Sequence, residues 1–507
     1  MRFVEGLCRD QLVSYVLDDI IAEEHYVRLM DQMATGFYQA NPGLFSDKGS
    51  RATGRKAYHP ALLLGIWLYG YLNGVSSSRK LERECQRNIE LHWLSQRLVP
   101  DHKTLANFRK AQRAAIQHFT RQFTRLLRQA GYISEHTLAV DGSKLRACAS
   151  QSYTVTSLGE QLRDTDRKLT LYVDQLQAPD EQGEPMERWE PRRNWLLAQM
   201  EGLEAKQATL IHCQAAAQQK PAKRISPTDV EARIMKGRQG KHYSYNLQTA
   251  VDSTFGFIAG YQVSNHENDK GLLEPMVELL RDETALQPGQ LLADAGYHDT
   301  KQIQSLEAQG ITCYVAPNDN QQQGQEQQGI SFTYEAALDQ YRCSQGRVLT
   351  KKYGLKRDNR RGTLMQTYVG TACQDCHLKT LCTKAAARHV YRHHDQPWRD
   401  AYRKKMESAV GQQRLKQRMA LVEHPFGTLK ERMGHTPLLL RGLKNVASEV
   451  GLYVLGYNFT RLNNLVSFQT IQALIQPQNW KINRYLSLGN PLCLFGGSLT
   501  SQPPMLW

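Results

Sequence analysis

Apolar residues recur at helical spacing through the first part of the chain. The run Ala61–Leu72 follows Pro60 and is apolar on most sides, which predicts a buried helix that begins at the proline. A second helix is expected over 79–90, and a third begins with Asp101 as its N-cap. The whole of residues 1–130 is therefore predicted to be helical.

Two interpretations of this helical region remain open. Short helices joined by tight turns, with basic residues on the later ones, are typical of a helix-turn-helix unit that binds DNA. A plain helical bundle with a solvated basic face has the same pattern. In the first interpretation, the side chains expected to contact DNA are Lys103, Arg109 and Lys110, with Lys144 further along the chain.

Beyond residue 130, short apolar runs alternate with helical patterns. Strands are expected at Thr137–Val140, ending at Asp141, and at the apolar run that ends at Asp294. The other predicted elements are a helical insertion at about 150–240, a strand hairpin over 243–252 and 257–264, helices over 271–281 and 300–308, and a strand over 312–316. Alternation of strands and helices predicts an α/β layer with a mixed sheet.

Three acidic residues in this pattern could share one site. Singly, Asp141 could belong to an Asp-Gly turn, Asp294 could cap a helix and Glu423 could be a surface residue. Two strand-end aspartates and a helical glutamate are, however, hard oxygen ligands that suit Mg²⁺ or Mn²⁺. Such a site can activate water against a phosphodiester. Asp252 is the main rival for the second ligand, and Asp269 is a weaker one.

The charge balance narrows the choice of partner. Lysine and arginine exceed aspartate and glutamate by 15, and this excess is spread along the chain. A basic surface favours a polyanion such as nucleic acid, although a basic soluble enzyme would have the same composition. No signal peptide and no apolar run long enough to span a bilayer are apparent, so we expect no membrane partner and a reducing cytoplasm.

Four cysteines are candidate ligands for a structural zinc ion. Cys373, Cys376 and Cys382 are closely spaced, and Cys343 lies upstream of them. The alternative is that these cysteines are unbound and lie in a basic loop. Histidines that could substitute for a distant Cys343 are His377, His389, His393 and His394.

The ordered motifs resemble the DDE transposases of bacterial insertion sequences. The resemblance is closest to the insertion-sequence 1182 family, within the insertion-sequence 5-like group, and it covers about residues 15–465. The segments that carry it are Asp141-Gly142-Ser143-Lys144, Ala293-Asp294-Ala295-Gly296-Tyr297, Val422-Glu423-His424-Pro425-Phe426-Gly427, Tyr245–Asp252, Asn268-Asp269, and the block from Tyr58-His59-Pro60 to Phe108-Arg109-Lys110.

This resemblance implies an RNase H-like core in which Asp141, Asp294 and Glu423 bind two Mg²⁺ or Mn²⁺ ions. Lys430 matches the basic residue that follows the glutamate, whereas Arg418 lies five residues before it rather than the usual four. A helix is expected to start or bend near Glu423 because of Pro425.

The activity implied is cleavage at the terminal inverted repeats of an element, followed by attack of the released 3′ hydroxyl on target DNA. A homodimer on double-stranded DNA in the bacterial cytoplasm, associated with the nucleoid, would follow. The rivals are a metal-dependent nuclease without strand transfer and a zinc-stabilised DNA-binding protein that has lost catalysis.

The chain is predicted to divide into five parts. These are a helical N-terminal DNA-binding region (1–130), the first part of the catalytic core with its helical insertion (131–317), a cysteine-rich zinc insertion (330–398), C-terminal catalytic helices that carry Glu423 (399–465), and a tail of unassigned role (466–507). A glutamine- and glycine-rich loop is expected over 318–329.

Overall fold

The structure is a computed structural model. It describes residues 14, 16–45, 56–149, 152–182, 186–219, 222–237, 240–317, 330–357, 364–433 and 437–480. The predicted loop over 318–329 and the tail beyond residue 480 lie outside these ranges.

The described part of residues 1–130 is helical, as predicted. Its helices are α1 (Tyr26–Ala40), α2 (Pro60–Leu72), α3 (Ser78–Arg87), α4 (Ile89–Leu94), α5 (His102–Ala111) and α6 (Arg113–Gln129). Pro60 begins α2, and the Asp101 carboxylate caps α5 by accepting a hydrogen bond from Thr104 N at 2.8 Å. The single helix predicted over 79–90 is wrong in one respect: Asn88 leaves the helical conformation and caps α4.

A mixed sheet follows these helices. The strands of this part of the chain are β1 (Thr137–Arg146), β2 (Tyr153–Thr154), β3 (Arg224–Ile225), β4 (Arg233–Gly237), β5 (Gly240–Asp252), β6 (Ile258–Ser264), β7 (Gln290–Ala293) and β8 (Thr312–Val315). The sheet has the order β4-β5-β1-β7-β8, and β6 also pairs with β5. Strands β1, β7 and β8 are parallel to one another, whereas β5 runs antiparallel to β1.

The prediction that β1 ends at Asp141 is wrong. The strand continues to Arg146 because β5 is long enough to pair with all of it, from Leu138 opposite Asp252 to Arg146 opposite Ser244. Asp141 therefore lies within a strand, opposite Thr249 of β5.

The helices that connect these strands are close to their predicted positions. They are α7 (Val155–Gln182), α8 (Met186–Gln219), α9 (Leu273–Thr284) and α10 (Thr300–Ala308). Helices α7 and α8 form the expected insertion hairpin between β2 and β3. Together with the sheet, they confirm a mixed α/β fold.

The cysteine-bearing segment forms a second sheet that the sequence pattern did not reveal. It consists of β9 (Phe332–Glu335), β10 (Gln340–Cys343), β11 (Val348–Arg357), β12 (Leu364–Gly370) and β13 (His389–His393), with the short helix α11 (Lys379–Cys382) between the last two. All neighbouring pairs are antiparallel. A small hydrophobic core supports this sheet and is separate from the main one.

The remaining helices return to the main core. They are α12 (Gln396–Glu407), α13 (Ala409–Arg432), α14 (Leu443–Leu465) and α15 (Phe468–Leu474). Pro425 lies inside α13, so a helix does not start near Glu423, and the alternative of a bend there stays a prediction. Trp480 is fully buried against Phe37 and Phe119 of the N-terminal helices. No helix in the described ranges is long and apolar enough to cross a membrane.

Candidate active site

Asp141 lies within β1, and Asp294 lies beside it just after the end of the neighbouring strand β7. Leu138 of β1 is in register with Leu291 of β7, and each aspartate follows its leucine by three residues. Because the two strands are parallel, the carboxylates of Asp141 and Asp294 lie at the same level along the strand direction. Asp294 also caps the turn after β7, where its Oδ1 accepts a hydrogen bond from Gly296 N at 2.9 Å.

One guanidinium group connects these two carboxylates. Helix α13 packs across β1 and β7 and places Arg418 Nη2 2.6 Å from Asp141 Oδ1 and 3.7 Å from Asp294 Oδ2. A single positive charge is therefore shared between two acidic side chains that come from distant parts of the sequence. The sequence left the role of Arg418 less secure, yet it is the residue that joins the pair.

The buried, closely spaced carboxylates of this site are stabilised by a nearby positive charge. Burial raises the pKa of the Asp141 carboxyl, and the negative charges of Asp294 and Asp269 act in the same direction, whereas Arg418 opposes them. Desolvation and like charges both disfavour an ionised carboxylate. A cation placed between the two carboxylates offsets both effects, and Arg418 occupies this position.

Asp269 is the third carboxylate of this site. Its Oδ1 accepts hydrogen bonds from Lys144 Nζ at 2.9 Å, Asn246 Nδ2 at 2.7 Å and Gln248 Nε2 at 2.8 Å. The buried Tyr297 hydroxyl donates to Gln248 Oε1 and extends the network to the segment that follows Asp294. The sequence ranked Asp269 as a weaker rival ligand, and its only signal was the Asn268-Asp269 motif.

Asp252, the stronger rival in the sequence, is not part of the site. It is fully buried, and it accepts backbone hydrogen bonds from Ser134 N at 2.9 Å, Thr254 N at 3.0 Å and Phe255 N at 2.6 Å. Its carboxylate holds the turn between β5 and β6, so the proposal of Asp252 as a metal ligand is corrected.

Glu423 and Lys430 lie further along α13. Val422 and Leu429 face the core four and eleven residues after Arg418, on the stripe that a helix of 3.6 residues per turn aligns with it. Glu423 is exposed beside that stripe. Among the described residues, no group of three His, Cys, Asp or Glu side chains is arranged to hold a metal ion, so the predicted trio is not brought together.

The predicted DNA-contacting residues separate into exposed and buried ones. Lys103 and Lys110 are exposed on α5. Arg109 is only 4% exposed: its guanidinium donates hydrogen bonds to the Tyr71 hydroxyl at 2.7 Å and to a backbone carbonyl, and it stacks on Trp67. The prediction that Arg109 contacts DNA is therefore corrected, because this side chain stabilises the helical core. Lys144 pairs with Asp269 in the site.

The four predicted zinc ligands line one small cavity at the end of the second sheet. Cys343 ends β10, Cys382 ends α11, and Cys373 and Cys376 lie in the turn after β12. Burial raises the pKa of the Cys382 thiol, and the other three cysteines act in the same direction while Arg388 opposes them. The thiols are thus neighbours, but they are not arranged as a coordination shell.

Two family models match the chain. One, described as a transposase domain (DUF772), matches residues 15–111, which contain α1 to α5. The other, described as a transposase DDE domain, matches residues 342–463, which contain Arg418, Glu423 and the four cysteines. Comparisons with curated proteins and with solved structures gave no match.

These two matches support a transposase, which is a class of enzymes that cleave DNA. Residues 112–341 lie between the matched segments and contain Asp141, Asp269 and Asp294. Contact between α13 and the main sheet joins this unmatched part to the matched DDE segment through Arg418.

Proposed function

We propose that this protein is an insertion-sequence transposase, similar to the insertion-sequence 1182 family, that binds terminal inverted repeats and catalyses strand cleavage and strand transfer. The observation that carries the proposal is the pair of neighbouring aspartates, Asp141 and Asp294, that share one cation, Arg418. An RNase H-like core is part of the proposal, and three antiparallel strands followed by two parallel ones, in the order β6-β5-β1-β7-β8, support it.

The donor set fits Mg²⁺ or Mn²⁺. Asp141 and Asp294 supply hard carboxylate oxygens, and they already hold a positive charge between them, that of Arg418. In this proposal, Asp141 and Asp294 hold the divalent ions together with Glu423. When bound, the ions would supply an activated oxygen nucleophile and neutralise charge on the phosphodiester.

Binding of divalent ions requires rearrangement of the chain's own residues. Arg418 has to leave the space between Asp141 and Asp294, and Glu423 has to approach from the exposed side of α13. Pro425 lies two residues after Glu423 and lacks the N–H that would continue the helical hydrogen bonds. We infer that α13 bends here, and that Arg418 then moves to a phosphate of the DNA.

Several side chains would position the DNA strand. Lys144, held by Asp269, and Lys430, seven residues after Glu423, carry positive charge near the proposed path of the scissile strand. Lys103 and Lys110 would contact the backbone of the terminal repeat from α5. A homodimer that pairs two element ends, acting in the bacterial cytoplasm at the nucleoid, completes the proposal.

The experiment that tests this function is metal-dependent cleavage of a labelled duplex that carries the end of the mobile element. We expect cleavage with Mg²⁺ or Mn²⁺ in the wild type and its loss in Asp294→Ala and Glu423→Ala. Incubation of the cleaved end with a supercoiled plasmid then measures strand transfer. Cleavage without joining would support a nuclease instead.

The ion pair of Arg418 also favours a second candidate, a DNA-binding protein without catalysis. In that candidate, Arg418 permanently takes the place of the metal ion. Specific binding of the element end with no cleavage in any metal would support it, and cleavage that depends on Asp141 would exclude it.

A further inference from the structure

A cavity of about 690 Å³ lies between the second sheet and α12. Strand β13 and helix α12 line two of its walls. His298 and Pro317, which follow β7 and β8, complete it, so the cavity opens at the same edge of the main sheet as Asp294. A space of this size is ordinary for a site that holds a small ligand or a single nucleotide.

The cavity is attached firmly to the main sheet. Val315 N of β8 donates a hydrogen bond to the Tyr402 hydroxyl at 2.9 Å, and the hydroxyl lies 3.2 Å from Cys313 O. Lys405 pairs with Glu307 of α10 at 2.6 Å. Helix α12 is thereby held against β8, and the position of the cavity relative to Asp294 is set by the fold.

Positive charge dominates the lining. Four arginines face the cavity, against one acidic residue, Asp400. Arg392 pairs with Asp400 at 3.4 Å, and Arg399 pairs with Asp395 outside the cavity at 2.9 Å. Arg388 and Arg403 add to this charge, so the lining keeps an excess that suits a phosphate group.

Aromatic rings form another part of the lining. Trp398 stacks on Tyr402, with ring centroids 4.9 Å apart and planes inclined by 15°. The Trp398 side chain is half-buried, and Tyr402 is also 6.1 Å from the ring of His298. Arg392 lies over the face of Tyr334 at 3.7 Å. Flat rings and a guanidinium plane in one basic cavity are the features that bind an unpaired base and its phosphate.

We propose that this cavity is a subsite for an unpaired nucleotide of a DNA strand, with the base against Trp398 and a phosphate against Arg403. The assignment rests on the proposed function, because that function supplies the DNA. Stacking on a ring requires a free base face, so a nucleotide within a duplex cannot occupy the site without leaving its stack. Asp294 lies four residues before His298, which places the subsite next to the strand at the proposed active site.

A double-mutant cycle between the protein and the DNA tests this proposal. Two short labelled strands are compared by fluorescence anisotropy in EDTA: oligodeoxythymidine, and an abasic strand with the same number of phosphates. Wild-type protein should prefer the strand with bases roughly tenfold or more, since base stacking on an aromatic side chain has that magnitude. Trp398→Ala should abolish this preference, whereas Trp398→Phe should retain most of it.

Matched variants separate charge from stacking. Arg403→Ala should lower the affinity for both DNA strands by the same factor, because both strands have phosphates. Lys404→Ala removes the same charge from the exposed neighbouring position on α12, and Trp195→Ala removes an exposed tryptophan from α8; neither should change the preference. Thermal unfolding of each variant identifies any loss of folding.

Two outcomes would overturn the proposal. A preference for bases that persists in folded Trp398→Ala would place the stacking elsewhere, and equal wild-type affinity for both strands would mean that no base is bound. Duplex binding and metal-dependent cleavage, measured on the same proteins, report on the proposed function separately. If they persist while the base preference is absent, the subsite fails and the transposase assignment stands.

Discussion

At the scale of single residues, Gly142 brings the backbone of β1 close to the side chains of the acidic site. It pairs with Gln248 across β1 and β5, and a Cβ atom there would overlap Gln248 Nε2 and lie 2.8 Å from Asp269 Oδ1. We expect Gly142→Ala to break the hydrogen bond between these side chains, to lower the free energy of unfolding by about 1–3 kcal/mol, and to reduce cleavage. Urea denaturation and the cleavage assay measure the two effects.

Gly202→Ala is the matched control for this substitution. Gly202 lies in α8 with open space around it, so the added methyl group should stabilise the helix by up to about 1 kcal/mol. If Gly142→Ala behaved like Gly202→Ala in both assays, the network around Asp269 would have no role in the site.

Asp252 provides a second test at this scale, because it separates a structural aspartate from the catalytic ones. Its Oδ1 accepts a hydrogen bond from Ser134 N, and its Oδ2 accepts hydrogen bonds from Thr254 N and Phe255 N. In an asparagine one of these oxygens is replaced by an NH₂ group, which would face a backbone N–H donor and could not accept its hydrogen bond. Asp252→Asn should cost about 1–3 kcal/mol of stability and leave cleavage by the folded protein intact. Asp141→Asn should abolish cleavage. A stable Asp252→Asn variant without activity would return Asp252 to the site.

At the scale of elements, α13 controls the charge of the site through Arg418. Arg418→Gln leaves Asp141 and Asp294 without their shared cation. We therefore expect the free energy of unfolding, measured in EDTA, to fall by about 2 kcal/mol. Because the guanidinium no longer competes for the carboxylates, Mn²⁺ should raise the unfolding temperature of this variant more than that of the wild type. Thermal unfolding with EDTA or Mn²⁺ measures both changes.

Arg414→Gln controls for the loss of an arginine from the same helix. Among the described residues, the side chain of Arg414 donates a hydrogen bond only to the nearby Gln417, at 2.8 Å. Its response to Mn²⁺ should match that of the wild type. Equal Mn²⁺ responses in Arg414→Gln and Arg418→Gln would mean that Arg418 does not occupy the metal position.

Prediction at the scale of elements succeeded where local pattern and packing agreed. Helix α10 has the predicted bounds, 300–308, because Asp299 caps it and its apolar positions face one side. The second sheet was missed because β9 and β10 have only four residues each and several side chains of β9, β10 and β12 are exposed or half-buried, so the apolar alternation is weak. The extension of β1 past Asp141 depended on pairing with β5, which no local signal records.

At the scale of the whole molecule, the second sheet has a core of its own, and we propose that a zinc ion bound by Cys343, Cys373, Cys376 and Cys382 stabilises it. Cys373→Ser combined with Cys376→Ser should remove about one equivalent of zinc per chain and destabilise the small core beneath β10 and β12. The separate main core should remain folded. Metal analysis of the purified protein and limited proteolysis of residues 330–398 measure these effects.

Cys148→Ser is the control, because Cys148 is a half-buried free cysteine outside the cluster. It should leave the zinc content unchanged. Zinc-free wild-type protein with full cleavage activity in Mg²⁺ or Mn²⁺ would contradict the zinc proposal, since the unit would then fold and function without the zinc ion.

The sequence by itself determined the class of the fold and most of the candidate chemistry. Hydrophobic periodicity specified the N-terminal helices, the helical insertion and the alternating core, because each reports which face of an element is buried. The positions of Asp141 and Asp294 at the ends of apolar runs indicated an acidic site. The resemblance to transposases, which the two matched domains support, came from the order of short motifs.

Only the tertiary structure decided which of these residues meet. Asp141, Asp294 and Arg418 come together because β7 runs parallel beside β1 and α13 crosses both strands. Asp269 joins them through its hydrogen bonds to β1 and β5, and all these contacts span long stretches of sequence. The same packing excluded Asp252 and Arg109, which are engaged in the interior, and left Glu423 on an exposed face of its helix. Sequence pattern records the burial of each element, whereas the contacts between elements depend on how the chain folds in three dimensions.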